Sequence, residues 1–248
     1  MEEKIPFIKI FTNGLLVTGV SLGVGMLGLP IKTGIAGILP SLSIMFLIWV
    51  LMMCTATVFI YKFTHPKERS RDYPTLFQVE LGSKGRWVSI IGYLVNYYGI
   101  LVAYLTGSAA ILVTMMPLNL PIHVWMAGFF IIFTGLALLA ANIAKNANAF
   151  IMAVLFGSFA VLLFMSAKHI DVSHYSHRDW ALIPSVVPII FVALAFHNVI
   201  PFVCRNLNGD MKASFKAILL GSSISVVMNI LWMMVVVGAI PLDGPGKA

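Results

Sequence analysis

Six stretches of this chain contain no Asp, Glu, Lys or Arg: 10–31, 33–61, 87–144, 146–167, 180–204 and 217–242. A helix that crosses a bilayer needs about 20 predominantly apolar residues, because it rises about 1.5 Å per residue against a hydrocarbon core about 30 Å thick. The stretch 87–144 has room for two such helices, and Pro117-Leu-Asn-Leu-Pro121 near its middle predicts a proline-bounded turn. Seven spans follow, at about 10–31, 36–61, 87–116, 122–141, 147–167, 181–204 and 215–240, in one transmembrane domain over residues 1–248. Hydrophobic residues make up 60 % of the chain and charged residues 10 %, with a mean hydropathy of +0.97. That balance excludes a soluble globular domain and a disordered chain. The expected fold class is an all-α membrane protein.

The net charge of +7 does not point to nucleic acid, because the basic residues are scattered over short loops rather than gathered with aromatics on one face. They report orientation instead. With the N-terminus in the cytoplasm, 12 of the 16 lysines and arginines fall on the inner side, which sets the topology. Cys54 and Cys204 both lie in apolar runs and are expected to pack as small hydrophobes. Lys4 and Lys9 precede an apolar run too long for a signal peptide, so the first helix is expected to be retained.

The first run carries glycines at 14, 19, 23, 25 and 28 and a proline at 30. An ordinary spanning helix has no use for that density of residues that weaken helices. Gly23-Val-Gly25-Met-Leu-Gly28-Leu-Pro30 therefore predicts an interrupted helix, and Phe196-His-Asn-Val-Ile-Pro201 predicts a second. Peptide groups released at membrane depth survive only where the protein or a polar cavity satisfies them. Paired interrupted helices are the sequence sign of a secondary transporter's binding site. No Asp, Glu, Lys or Arg lies in any span core, which leaves His197 as the most readily ionised side chain at mid-membrane.

Other segments add detail. In the third span Gly92, Asn96, Gly99, Ala103, Gly107 and Ala110 form one stripe of small and polar residues, expected to pack closely against another helix, with lining of a substrate path as the alternative. Residues 73–82 are expected to form a short interfacial helix ended by Gly82. The loop 168–180 holds His169, Asp171, His174 and His177 without zinc-site spacing, and is expected to be solvated. Ser222, Ser225 and Asn229 share one face of span seven, expected to turn inward.

Two interrupted helices separated by four intact spans predict a five-helix unit that begins again in inverted orientation. The segments Gly23–Pro30, Phe196–Pro201 and Asn206-Leu-Asn-Gly-Asp210 resemble the first- and sixth-helix signatures of the hydroxy/aromatic amino acid permeases, the bacterial tryptophan and tyrosine permease group. That resemblance implies the amino acid–polyamine–organocation superfamily, the inverted-repeat fold of leucine transporters, and proton symport in the bacterial inner membrane. Members have about eleven spans, so the seven found here correspond to the first repeat and two helices of the second, and the chain reads as shortened at its C-terminus. The substrate's carboxylate is then expected at the N–H groups of Gly23, Val24, Gly25 and Met26, where the helix dipole also favours an anion. Carbonyls of the first break and of Ala195–Asn198 would take its ammonium, and Asn96, Tyr97, Phe196, His197 and Asn198 would surround the rest. A Cβ at Gly23 or Gly25 would stand between backbone and substrate.

His197 is the expected proton carrier, with a sodium site near Thr18 and Ser21 less favoured. No cofactor, bound metal or catalytic residue is expected, and membrane-embedded catalysis lacks its carboxylates and nucleophile–base pairs. The expected partners are an amino acid and the lipid bilayer. Tyrosine and tryptophan lead as substrates, with a serine/threonine-type permease of the same group as an alternative. A further alternative is a non-transporting remnant, or a subunit completed by a second polypeptide that supplies the missing helices.

Overall fold

The computed structural model describes residues 5–67, 71–116, 118, 120–140 and 144–240. Pro117 and Asn119 of the expected turn, part of the charge run near residue 69 and the tail after residue 240 lie outside the described residues, as do the side chains of Val24 and Leu27. The described residues are helical and contain no strand: α1 (Phe7–Ser21), α2 (Val24–Ala36), α3 (Ile38–Thr64), α4 (Tyr73–Met115), α5 (Ile122–Ala140), α6 (Ala144–Ala167), α7 (Ile183–Ala193), α8 (Ile200–Asn206) and α9 (Met211–Ala239). Among them, Ile38–Thr64, Tyr73–Met115, Trp180–Asn206 and Met211–Ala239 are long and apolar enough to cross a membrane, with shorter apolar helices at Phe7–Ser21, Ile122–Leu138 and Met152–Ala167. The chain divides into two compact units, Met1–Arg71 with Met152–Ala248 and Asp72–Ile151.

In the first unit α9 is the central helix. Its buried residues Ala213, Ser214, Ala217, Ile218, Gly221, Ser222, Ser225, Met228 and Asn229 recur at the three- and four-residue spacing of one helical stripe. The stripe is small and polar where α1 crosses it. A Cβ on Gly221 would strike Gly14 O and Val17, and one on Gly14 would meet Leu220 and the Ala217 carbonyl. Across that contact the Thr18 hydroxyl lies 3.0 Å from Gly221 O. On its α3 side, Ser222 Oγ accepts from Trp49 Nε1 at 3.2 Å. Ser222, Ser225 and Asn229 are all buried.

The segment after α8 is a compact linker. Asn206 Nδ2 donates to Asn13 Oδ1 at 2.8 Å, tying the end of α8 to α1. Asn208 and Gly209 take positive φ, 55° and 68°, which lets Gly209 N–H reach Cys204 O at 2.8 Å and close the C-terminus of α8. Asp210 then caps α9 by accepting from Ala213 N–H at 2.8 Å.

The loop 168–180 is exposed over most of its length, as expected, and it also straps two helix ends. Asp171 N–H and His174 Nδ1 both lie 2.9 Å from Gly238 O, and Tyr175 donates its hydroxyl to Met234 O at 2.8 Å. Toward α2, His177 Nε2 is 2.7 Å from Ile35 O, and Asp179 N–H is 2.8 Å from Ala36 O. The last carbonyls of a helix have no partner within it, and this strap supplies partners to α2 and α9 alike. Gly37, at φ 91°, turns the chain from α2 into α3, and a Cβ there would collide with His177 O. Burial raises the Tyr175 phenol above its ordinary range.

In the second unit, Asp72 caps α4 through Thr75 N–H at 2.9 Å. The Thr75 hydroxyl and N–H hold the Asp72 carboxyl below its ordinary range. The cap's electrostatic contribution is therefore present above the unfolded carboxyl's pKa and lost as pH falls through the folded one. Gly82, at φ 72° and ψ −167°, breaks the helical path. The two limbs fold back on each other, with Arg86 Nη1 3.0 Å from Gln78 Oε1 and the Tyr73 and Tyr93 rings 5.6 Å apart. Of the α4 stripe, Gly92 and Gly99 have no described atom within 4 Å of a built Cβ, while Ala103 and Gly107 are half-buried.

Two contrasting glycine substitutions follow. Gly221→Ala is expected to cost about 1–3 kcal/mol by forcing α1 away. Gly92→Ala should be neutral or stabilise by up to about 1 kcal/mol, because a helix prefers alanine where space is open. Thermal unfolding of the purified protein in detergent separates the two. Tyr175→Phe should lower stability by about 1 kcal/mol through loss of its bond to Met234 O, and raise amide exchange in residues 172–176.

Candidate functional site

The helical path of the first run stops just before Gly23. Ser21 Oγ bonds back to Val17 O at 3.0 Å, and Leu22 N–H takes Thr18 O at 2.9 Å. Gly23 is extended, φ −110° and ψ −150°, and α2 starts at Val24 with no side-chain cap. Met26 N–H turns back to Gly23 O at 3.1 Å, while the N–H groups of Val24 and Gly25, in the opening turn, have no acceptor within α2.

The second interruption lies at the end of α7. Leu194 N–H still reaches Ile190 O at 3.0 Å, and Ala195 N–H reaches Val192 O at 3.4 Å. Phe196 then leaves helical geometry, His197–Val199 form a single 3₁₀ turn, and α8 restarts with Pro201 in its first turn. Proline suits that position, since its missing N–H would have had no partner and its φ is already helical.

These two places meet inside the first unit. A Cβ on Gly25 would come within 2.5 Å of both Ala193 N and Ala193 Cα, and one on Gly28 within 3.3 Å of Ile189 Cδ1. Glycine at 25 thus lets the start of α2 press its backbone against the end of α7. The space a Cβ on Gly25 would occupy belongs to Ala193, so Gly25→Ala perturbs this helix packing.

Around this crossing α9 contributes two polar side chains. Trp232 Nε1 donates to Met26 O at 3.0 Å, holding a peptide group of the first turn of α2. Its indole also stands beside Phe159, in a cluster with Leu22, Met26 and Met228. Asn229, fully buried, donates from Nδ2 to Ser225 O at 2.9 Å and reaches Ala193 O at 3.5 Å. Its Oδ1 has no hydrogen-bond partner among the described atoms.

His197 faces α3. Its Nε2 is 2.8 Å from Thr55 Oγ1, the Phe196 ring stacks on it at 4.9 Å and 21°, and the Phe59 ring meets it edge-on at 6.1 Å. Phe196 is buried, 1 % exposed, so its ring is engaged with His197 in this conformation. Asn198 is half-buried. Of the residues expected at the site, Gly23, Gly25, Met26, Phe196, His197 and Asn198 thus belong to the first unit, as does the backbone of Val24. Asn96 and Tyr97 belong to the second unit; both are exposed, and Tyr97 stacks on Tyr93 at 5.8 Å. Thr55, Trp232 and Asn229 were not among the expected site residues. Asn229 carried a signal, an amide on an apolar helix face, whereas Thr55 sits in an apolar run where only the fold shows what it touches.

Comparison with known proteins decides the family. A profile of the tryptophan/tyrosine permease family matches residues 8–244. The chain belongs to that family. It is 28 % identical over 228 residues to the tyrosine-specific transport system 1 of Haemophilus influenzae, covering 91 % of this chain and 57 % of that protein. To the tyrosine-specific transport system 2 of the same organism it is 24 % identical, over 94 % of this chain and 59 % of the relative. Glutamine transporter 2 of Aliivibrio fischeri is 22 % identical over 93 % of this chain and 61 % of its own length. The chain therefore spans less than two-thirds of the length of these relatives. No solved structure matches. Family and apolar helices together make this a multi-pass membrane protein of a transporter family.

For Trp232→Phe, loss of the only side-chain donor described on Met26 O is expected to destabilise by about 1–3 kcal/mol. Hydrogen exchange should accelerate at residues 23–27 while the α1–α9 crossing stays protected.

Proposed function

We propose that this permease carries an aromatic amino acid, tyrosine or tryptophan, across the bacterial inner membrane by alternating access in symport with a proton, with its N-terminus in the cytoplasm. The observation that supports this most is the meeting of two interrupted helical paths in one unit, the opening turn of α2 against the closing turn of α7 at Gly25 and Ala193. An α-amino acid presents a carboxylate and an ammonium. The opening N–H groups of α2 at Val24 and Gly25, at the positive end of its dipole, suit the carboxylate. Carbonyls at the end of α7, at the negative end of its own dipole, suit the ammonium.

In this reading α1 with α2 is the first helix of an inverted-repeat carrier of the leucine-transporter kind, and α7 with α8 is the sixth. His197, beside the second interruption, carries the coupling proton, and no carboxylate competes with it in the span cores. Tyrosine is the first substrate to test, because two of the relatives are tyrosine-specific systems. Glutamine is the control, after the third.

Uptake of labelled tyrosine by cells lacking their own aromatic permeases tests the reading. Expected is accumulation driven by an inward proton gradient, competed by tryptophan and not by glutamine, and reduced by at least about tenfold in His197→Gln. Gradient dependence unchanged in His197→Gln removes that residue from coupling. Tyrosine binding without uptake overturns the carrier reading.

A further inference from the structure

His197 is a histidine whose surroundings on α3 decide which of its two nitrogens bears the proton. Thr55 Oγ1 lies 2.8 Å from Nε2. The same hydroxyl is 3.0 Å from Met52 O and 3.2 Å from Leu51 O. A threonine hydroxyl has one proton, and on a helix it is ordinarily donated to the carbonyl three or four residues back. Committed there, Thr55 presents a lone pair to the imidazole. What α3 offers this edge of the imidazole, through Thr55, is an acceptor. Phe196 stacked on one face and Phe59 against the edge hold the ring plane in place.

We propose that Thr55 is a positioning residue that keeps Nε2 of His197 protonated, so that the proton His197 gains and loses is carried at Nδ1. The step balances simply: the neutral ring, with hydrogen on Nε2, takes one proton at Nδ1 to become imidazolium, and releases the same proton from Nδ1. Thr55 keeps its own proton throughout and serves as acceptor in both states, so loading and unloading require no rearrangement on the α3 side. The tautomer stands on geometry alone. Its use in transport rests on the reading of His197 as the proton carrier.

The full chain, labelled with ¹⁵N-histidine and placed in lipid nanodiscs, gives the tautomer directly from nitrogen chemical shifts. The His197 signals are assigned by their disappearance in His197→Gln. In the neutral form Nε2 is expected to bear the proton in the wild type and in Thr55→Ser, which restores the hydroxyl. In Thr55→Val, nearly isosteric and without the acceptor, the Nδ1-protonated tautomer should grow at its expense. A wild type protonated at Nδ1, or a Thr55→Val spectrum identical to the wild type, overturns the proposal. Tyrosine uptake separates the two levels. If both hold, Thr55→Val lowers proton-driven uptake roughly three- to tenfold with a displaced pH profile, and Thr55→Ser recovers it. Full uptake in His197→Gln with the tautomer as expected would sink the coupling role and leave the Thr55 assignment standing. Loss of uptake in His197→Gln with an unchanged tautomer in Thr55→Val would do the reverse.

Discussion

The first unit depends on how closely two backbones approach at Gly14 and Gly221. Lipid tails are as apolar as leucine, so no hydrophobic gain draws helices together within the bilayer, and association has to come from close contact and hydrogen bonds. Removing both Cβ atoms brings α1 and α9 near enough for the Thr18 hydroxyl to reach Gly221 O. Once α1 lies there, Asn13 is placed for Asn206, and α8 is fastened to the same pair. About three turns further along α9, Trp232 reaches Met26 O, so one helix holds both the end of α1 and the start of α2.

The same constraint explains where the polar side chains go. Backbone groups released at helix ends must find partners where water is scarce. The strap 168–180 serves the ends of α2 and α9, Asp210 serves the start of α9, and Asn208 with Gly209 closes α8. Much of what makes the chain resemble its family in Asn206–Asp210 is accounted for by this local need. Gly25 likewise allows a crossing with Ala193. Asn229 Oδ1, next to that crossing, is by contrast buried without a hydrogen-bond partner among the described residues, as is Ser214 Oγ on the same helix.

Where legibility ended can be seen residue by residue. The expected span 36–61 overlaps α3 at Ile38–Thr64, bounded by charge near its ends, and 122–141 overlaps α5 at Ile122–Ala140, which starts directly after Pro121. The last span was placed four residues late, since Lys212 and Lys216 lie inside α9 and its start is set by the Asp210 cap. The α4 stripe was read as a packing face and Gly14 was not, although Gly92 meets open space and Gly14 meets α9. Spacing shows that small residues share a face; it does not show what that face touches. The bonds of His174 and His177 were not legible because the backbone carbonyl each one meets is far away in the chain.

The sequence by itself determined that this chain is helical and lies in a membrane, because transfer of charge into lipid and loss of helical hydrogen bonds are costs set locally, residue by residue. Tertiary structure alone decided which glycine meets which backbone, that a polar loop closes two helix ends, and that Thr55 rather than a charged group stands against His197. Those contacts join residues 59 or more positions apart, and their geometry exists only after the helices have packed.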